Sequence, residues 1–584
     1  MEQQRAWWRL FLIALTLAVS LNLPRLAAAL RAYLAPPPEP VAATSPPAPP
    51  TETHAAITLS SFAADLHPDV RYGPYFTGAL TPADRSIPVA PLLPDFQALL
   101  TQYTLRQAVD DNFTIRVYDG ARGELLVRYE LIDERQRYQE TGVIDWDEVD
   151  RRRREITRTL LDNFVARGFS REALVVRWGR ANQVQEAYLR AAPYLEYEIR
   201  LARLLDLSLL STTVSVVETF SNDRLVSPAG ARSRYQLMPY LLRQYGIHHY
   251  TLRTAAGNRI RVLEEWHPLL TMEPAFLVMR SYANAVGHEV PGLSAYHTGP
   301  ANLFRIYRQF LTEGIAYLKP GTTVLDAYLW ALTEGFDELA RQTSFRSYSR
   351  GYVPSLYGTL RALEHLPLDT SRTVQAELVQ VVSPEPFYLS DLLALLHAAG
   401  ADTLDWRMAT PSASLYNRFR LLNPHFELPA APDSVGVPLA GDVRFAITDN
   451  TPPIRFFLPL GTIQRLQRLG FNGLHLLQRF DHTSFTRSEQ EYTPWDQAYA
   501  DLLEDVRHFG FTFANRARLD SLAARFEQLA EETPTPYRQR QLQIIRTHVR
   551  LWQFGAWEKL AHAAEAATGR LRLPVRPPEV SESD

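Results

Sequence analysis

The chain has 584 residues, 46% hydrophobic and 21% charged, with a formal net charge of −3. That length exceeds one ordinary core and predicts roughly three or four domains of globular composition, while the near-neutral charge offers no basic face of the kind nucleic acid requires. There are 0 cysteines, which excludes disulfides, thiolate zinc sites, a cysteine nucleophile and a lipid-modified N-terminal cysteine.

Residues 1–29 carry Arg5 and Arg9, a short apolar run over 10–23, and a cluster of small residues at 27–29. These are the parts of a secretory signal peptide, and an uncleaved signal anchor is the alternative. Either places the body of the protein in the periplasm or cell envelope. Residues 30–54 are rich in proline and alanine and suit an extended linker.

Residues 55–187 read as an N-terminal α+β accessory module. Strand-like runs at 113–118 and 125–131 flank Asp119-Gly120 and Gly123, which predicts a hairpin. A polar helix is expected from near Asp145 to a stop at Gly168. Over 188–365 the pattern becomes helical. The stretch 209–217 is nearly all apolar or small, predicting a buried helix closed by Glu218. A carboxylate in that position is costly unless it is hydrogen-bonded, protonated or functional. Further helices are expected at 239–245, 269–285, 302–317 and 324–343, with a turn over 293–300. The segment 366–465 mixes a helix at 389–399 with short strands at 443–447 and 454–458. Residues 466–573 read as a mostly helical C-terminal region carrying Trp495, Trp552 and Trp557, and 574–584 as a disordered tail. The expected class is mainly α and multidomain.

The most informative stretch runs Val217-Glu218-Thr219-Phe220-Ser221-Asn222, then Ser227-Pro228-Ala229-Gly230-Ala231, then Tyr235-Gln236-Leu237-Met238-Pro239. A lone acid among apolar neighbours has its pKa raised and can serve as a general acid near neutrality. With Ala295-Tyr296-His297-Thr298-Gly299 further on, the stretch resembles the active-site signature of the Slt-type lytic murein transglycosylases. These are the goose-lysozyme-like enzymes of glycoside hydrolase family 23. Tyr352-Val353-Pro354, Leu421-Leu422-Asn423-Pro424 and Phe456-Phe457-Leu458-Pro459 look like segments of the membrane-bound lytic transglycosylase D subgroup. The resemblance covers roughly residues 190–460.

The resemblance implies a lysozyme-like α-helical catalytic domain over 188–365, between the α+β module and the helical C-terminal region. It implies Glu218 as sole catalytic acid and base, with Thr219, Ser227, Gln236, Met238 and Tyr296 binding substrate. The substrate would be the glycan strands of peptidoglycan, cleaved to 1,6-anhydro-muramoyl ends without a cofactor or metal. The flanking modules would meet cell-envelope proteins, and the membrane only through the N-terminal segment. Rival expectations are a non-catalytic wall-binding or scaffold protein on the same fold, and a hydrolytic muramidase.

The chain departs from the family pattern at four positions. Ser233 stands where the family has glycine, followed by Arg234 instead of an apolar residue. His297 stands for an asparagine and Tyr348 for an acid, both of which often hold the sugar. Taken alone, Thr219 and Ser227 also suit a cap and a turn, Met238 a core filler, and Tyr296 a core aromatic. His248, His249, His267, His288 and His297 crowd one region, yet none forms a His-x3-His pair, so no metal site is expected.

Overall fold

The computed structural model describes residues 92–552, apart from 121–122, 320, 365, 367–369, 407–411, 435 and 449–451. The expected signal segment, linker and tail lie outside the described residues. Among the described residues there are 19 helices and only small sheets, so the chain is mainly α. It divides into two compact units, whose described parts are 105–182 and 92–104 with 183–552. Among the described residues, no helix is long and apolar enough to cross a membrane.

The smaller unit is a three-stranded antiparallel sheet with Thr114–Asp119 at its centre, between Leu125–Glu130 and Leu174–Trp178. The central strand is buried along its whole length: Ile115 and Val117 pack on helix Trp146–Ala166, and Arg116 on the opposite face donates to Asp110 at 2.6 Å. Asp145 caps that helix, accepting from the amides of Asp147 and Glu148 at 2.9 and 3.3 Å, which is the preferred chemistry at a helix start. The hairpin and the polar helix read from the sequence are both present.

The larger unit has a large apolar core, from Leu92 to Trp552, and a smaller cluster that joins Tyr188, Leu195 and Ile199 to Val216 and Leu363. Its axis is helix Pro268–Val286, buried along nearly its full length and packed against Glu289–Thr298 and Pro536–Trp552. The chain is helical over Glu289–Thr298, so the turn expected over 293–300 shrinks to Gly299, whose φ of 83° ends the helix. Gly292 lets the two helices cross closely: a Cβ there would sit 2.5 Å from the Ala283 Cα. Gly292→Ala is therefore expected to cost about 1–3 kcal/mol in urea unfolding, despite alanine's better helix propensity.

A hairpin, His249–Arg253 with Arg259–Leu263, interrupts the helices. Its alternating burial puts Tyr250 and Leu252 inward. A second antiparallel sheet sets Ala376–Val381 between Leu474–Phe480 and Arg455–Pro459. The stretches 366–465 and 466–552 thus share one sheet instead of forming separate bodies. Buried Glu377 caps the turn after it, accepting from the amides of Gly461 and Ile463 at 3.0 and 2.8 Å.

Candidate active site

Glu218 lies on the last turn of a short helix, Val214–Thr219, which continues a 3-10 turn, Leu209–Thr213. Residues 210–216 are all buried, as their small and apolar character requires. The helix stops because Phe220 and Ser221 both adopt left-handed backbone, with φ of 52° and 57°. Their amides close back onto the carbonyls of Val216 at 2.8 Å and Ser215 at 2.9 Å, a Schellman-type ending. Neither residue is glycine, so the bend costs about 1 kcal/mol or more at each.

The Glu218 helix packs against helix Tyr352–Leu363, and so does Glu289–Thr298. Three distant segments therefore converge on one carboxyl group. The Tyr352 phenol donates a 2.8 Å hydrogen bond to Glu218 Oε1. His297 Nδ1 lies 3.9 Å from the same oxygen. The His297 ring stacks on Tyr352, with centroids 4.4 Å apart and planes 10° apart. Its other neighbour is Tyr348, packed edge-on at 4.8 Å.

Only 10% of the Glu218 side chain is exposed. Burial pushes its pKa up to about 7, against the smaller downward pull of the Tyr352 hydrogen bond. Burial also pushes His297 down to about 4, so the imidazole is neutral around pH 7 and the pair is not an ion pair. Burial and then the Glu218 charge hold the Tyr296 phenol well above its ordinary value. The site thus holds a carboxyl group that is partly protonated near pH 7 among neutral aromatic groups, an arrangement that suits a general acid.

The turn after Glu218 is tied down residue by residue. The Thr219 hydroxyl is shared between the carbonyls of Ser215 at 3.1 Å and Arg234 at 3.0 Å, and it accepts from the Asn222 amide. Ser227 Oγ accepts from the Ala231 amide at 3.0 Å. Gln236 donates through Nε2 to the carbonyls of Ser233 and Leu225. Ser233 takes φ of 70° and Gln236 53°, so Ser233 occupies the conformation that favours glycine. Asp223 pairs with buried Arg234 through two hydrogen bonds of 2.6 and 2.9 Å. The acid nearest Glu218 in sequence is thereby committed to a cation.

Of the residues expected to accompany Glu218, Tyr296 lies within its electrostatic reach, with its hydroxyl donating to the Tyr235 carbonyl at 2.6 Å. Thr219, Ser227 and Gln236 spend the hydrogen bonds described above on the turn itself. Met238 starts helix Pro239–Gln244 and packs half-buried against the core. Tyr352 and His297 are the groups that meet the carboxyl. Tyr352 was visible in the sequence only as a helix start, and His297 only as a departure. A further buried acid also went unread. Glu198, fully buried, accepts from the Tyr235 hydroxyl and is pushed up to about 7 by burial.

Compared with known protein families and with characterised proteins, the sequence matches none.

Proposed function

We propose that the protein is a lytic transglycosylase of peptidoglycan, acting through Glu218 on a lysozyme-like helical domain. The observation that carries this is the raised carboxyl group of Glu218, held at a helix end by Tyr352, with Asp223 withdrawn into an ion pair. Protonated Glu218 gives its proton to the glycosidic oxygen, and the C1–O4 bond breaks through an oxocarbenium-like state. The resulting carboxylate takes the proton of the C6 hydroxyl of the muramoyl sugar. O6 then bonds to C1, closing a 1,6-anhydro ring, and no water is consumed. Tyr296 lies within the electrostatic reach of the carboxyl, its hydroxyl donating to the Tyr235 carbonyl. The substrate lies outside the cytoplasm, which accords with the export segment read at the N-terminus. The flanking segments would meet envelope partners.

Digestion of purified sacculi with mass spectrometry of the soluble products tests this reading. Anhydro-muropeptides are expected. Reducing-end muropeptides would make the protein a hydrolytic muramidase, and binding without products would make it a wall-binding protein.

The acid must be protonated to act, so kcat/KM is expected to fall as pH rises through about 7. Below about 4, His297 gains a charge beside the site and the rate falls again. Tyr352→Phe removes the hydrogen bond that holds the Glu218 pKa down. The alkaline limb of the pH profile should therefore move upward in that variant, and a limb that stays or moves down would remove Glu218 from the assignment.

A further inference from the structure

The two positions where the chain leaves the family pattern beside Glu218 are both aromatic, and they touch each other. Tyr348, His297 and Tyr352 form a continuous run of rings leading to the carboxyl oxygen. Tyr352 is buried at 2% exposure, whereas Tyr348 at the other end is 64% exposed. An exposed tyrosine alone needs no explanation. Here, however, its backbone is fixed. It sits in the short helix Ser347–Arg350, and Arg350 anchors that helix by donating to the Leu332 carbonyl at 2.7 Å while lying 4.5 Å over the Phe336 ring. The exposed ring is therefore held against His297, which lies 3.9 Å from the acid.

A pyranose ring in a β-1,4-linked chain presents a face of C–H bonds with no hydroxyl in it. Such a face packs on an aromatic ring, whose electron-rich surface attracts the slightly positive hydrogens. We propose that Tyr348, backed by His297, is a sugar-stacking ledge that grips an N-acetylhexosamine ring next to the bond that Glu218 cleaves. It rests on the reading given under Proposed function and deepens it: recognition at this edge of the site passes from hydrogen bonds to stacking. A grip of that kind reads the face of the ring and is indifferent to salt.

The test is calorimetric titration of the protein with the tetramer of β-1,4-linked N-acetylglucosamine, in the Glu218→Gln background so that nothing turns over. Tyr348→Ala is expected to weaken binding about tenfold, and Tyr348→Phe to leave it within about twofold, with thermal melting unchanged in both. Equal binding by Tyr348→Ala, or no binding by the parent, overturns the ledge. Sacculus digestion with Glu218 intact separates the two readings. Anhydro products released equally well by Tyr348→Ala would sink the ledge and leave the enzyme. Tyr348-dependent saccharide binding with no products would keep the ledge and sink the catalysis.

Discussion

Glu218→Gln is expected to lower the release of anhydro-muropeptides from sacculi by about 10²–10⁴-fold, the range a general acid supplies, while leaving the protein folded. Glutamine has the shape of the protonated acid, and its carbonyl can still accept from Tyr352. The same change should make the protein more stable at pH 8. In the folded state the Glu218 pKa rises from 4.5 to about 7, so the native state binds more protons than the unfolded chain between those values. Stability is then full below about 4.5 and is lost as pH rises through 7. Removing the charge recovers on the order of 2–3 kcal/mol at pH 8 and almost nothing at pH 4. Urea titrations at the two pH values check this. A variant that loses activity but shows the same stability gain at both would mean the carboxyl is not the group that titrates. Activity retained in Glu218→Gln would end the assignment outright.

The second large effect lies one turn away. Asp223→Ala leaves the Arg234 guanidinium buried, at 1% side-chain exposure, without the carboxylate that balances it. Breaking a buried pair from one side costs about 3–5 kcal/mol. The lower end is expected, because 27% of the Asp223 side chain is exposed. The turn over residues 222–237 should loosen with it, and activity should fall although Glu218 itself is untouched. Replacing both partners, as Asp223→Ala with Arg234→Met, should restore much of the lost stability. If the double variant is no more stable than the single one, the ion pair is not what holds the turn. Denaturant melts of the four proteins in the cycle decide it.

The elements legible in the sequence were those with strong local signals. The Asp145 cap and the Asp119-Gly120 hairpin announce themselves by turn and cap chemistry. The apolar stretch closed by Glu218 announces itself by its cost. The hairpin at His249–Arg253 and Arg259–Leu263 was hidden because each strand is only five residues long and its neighbours are helices. The sheet pairing Ala376–Val381 with Leu474–Phe480 joins residues nearly a hundred apart, which no local pattern reveals. The same holds at the site. Glu218 was readable, but its meeting with Tyr352 spans 134 positions. The buried acid Glu198 sits within an ordinary helix, Ala181–Leu204, and nothing in its spacing marks it. Asp223 and Arg234 could be seen as residues but not as partners, since only the folded turn brings them together.

Helix Leu93–Thr104 packs against Tyr352–Leu363, about 250 residues later in the chain. A growing polypeptide emerges at roughly 5–20 residues per second, so this early helix waits tens of seconds for its mate. Residues 105–182 are complete long before then and can close on their own sheet. This early helix of the larger unit is thus covered only after Tyr352–Leu363 has emerged. Its apolar surface, carried by Phe96, Leu99, Leu100 and Tyr103, stays uncovered during that interval. That is the stage at which the chain most needs shielding from its neighbours.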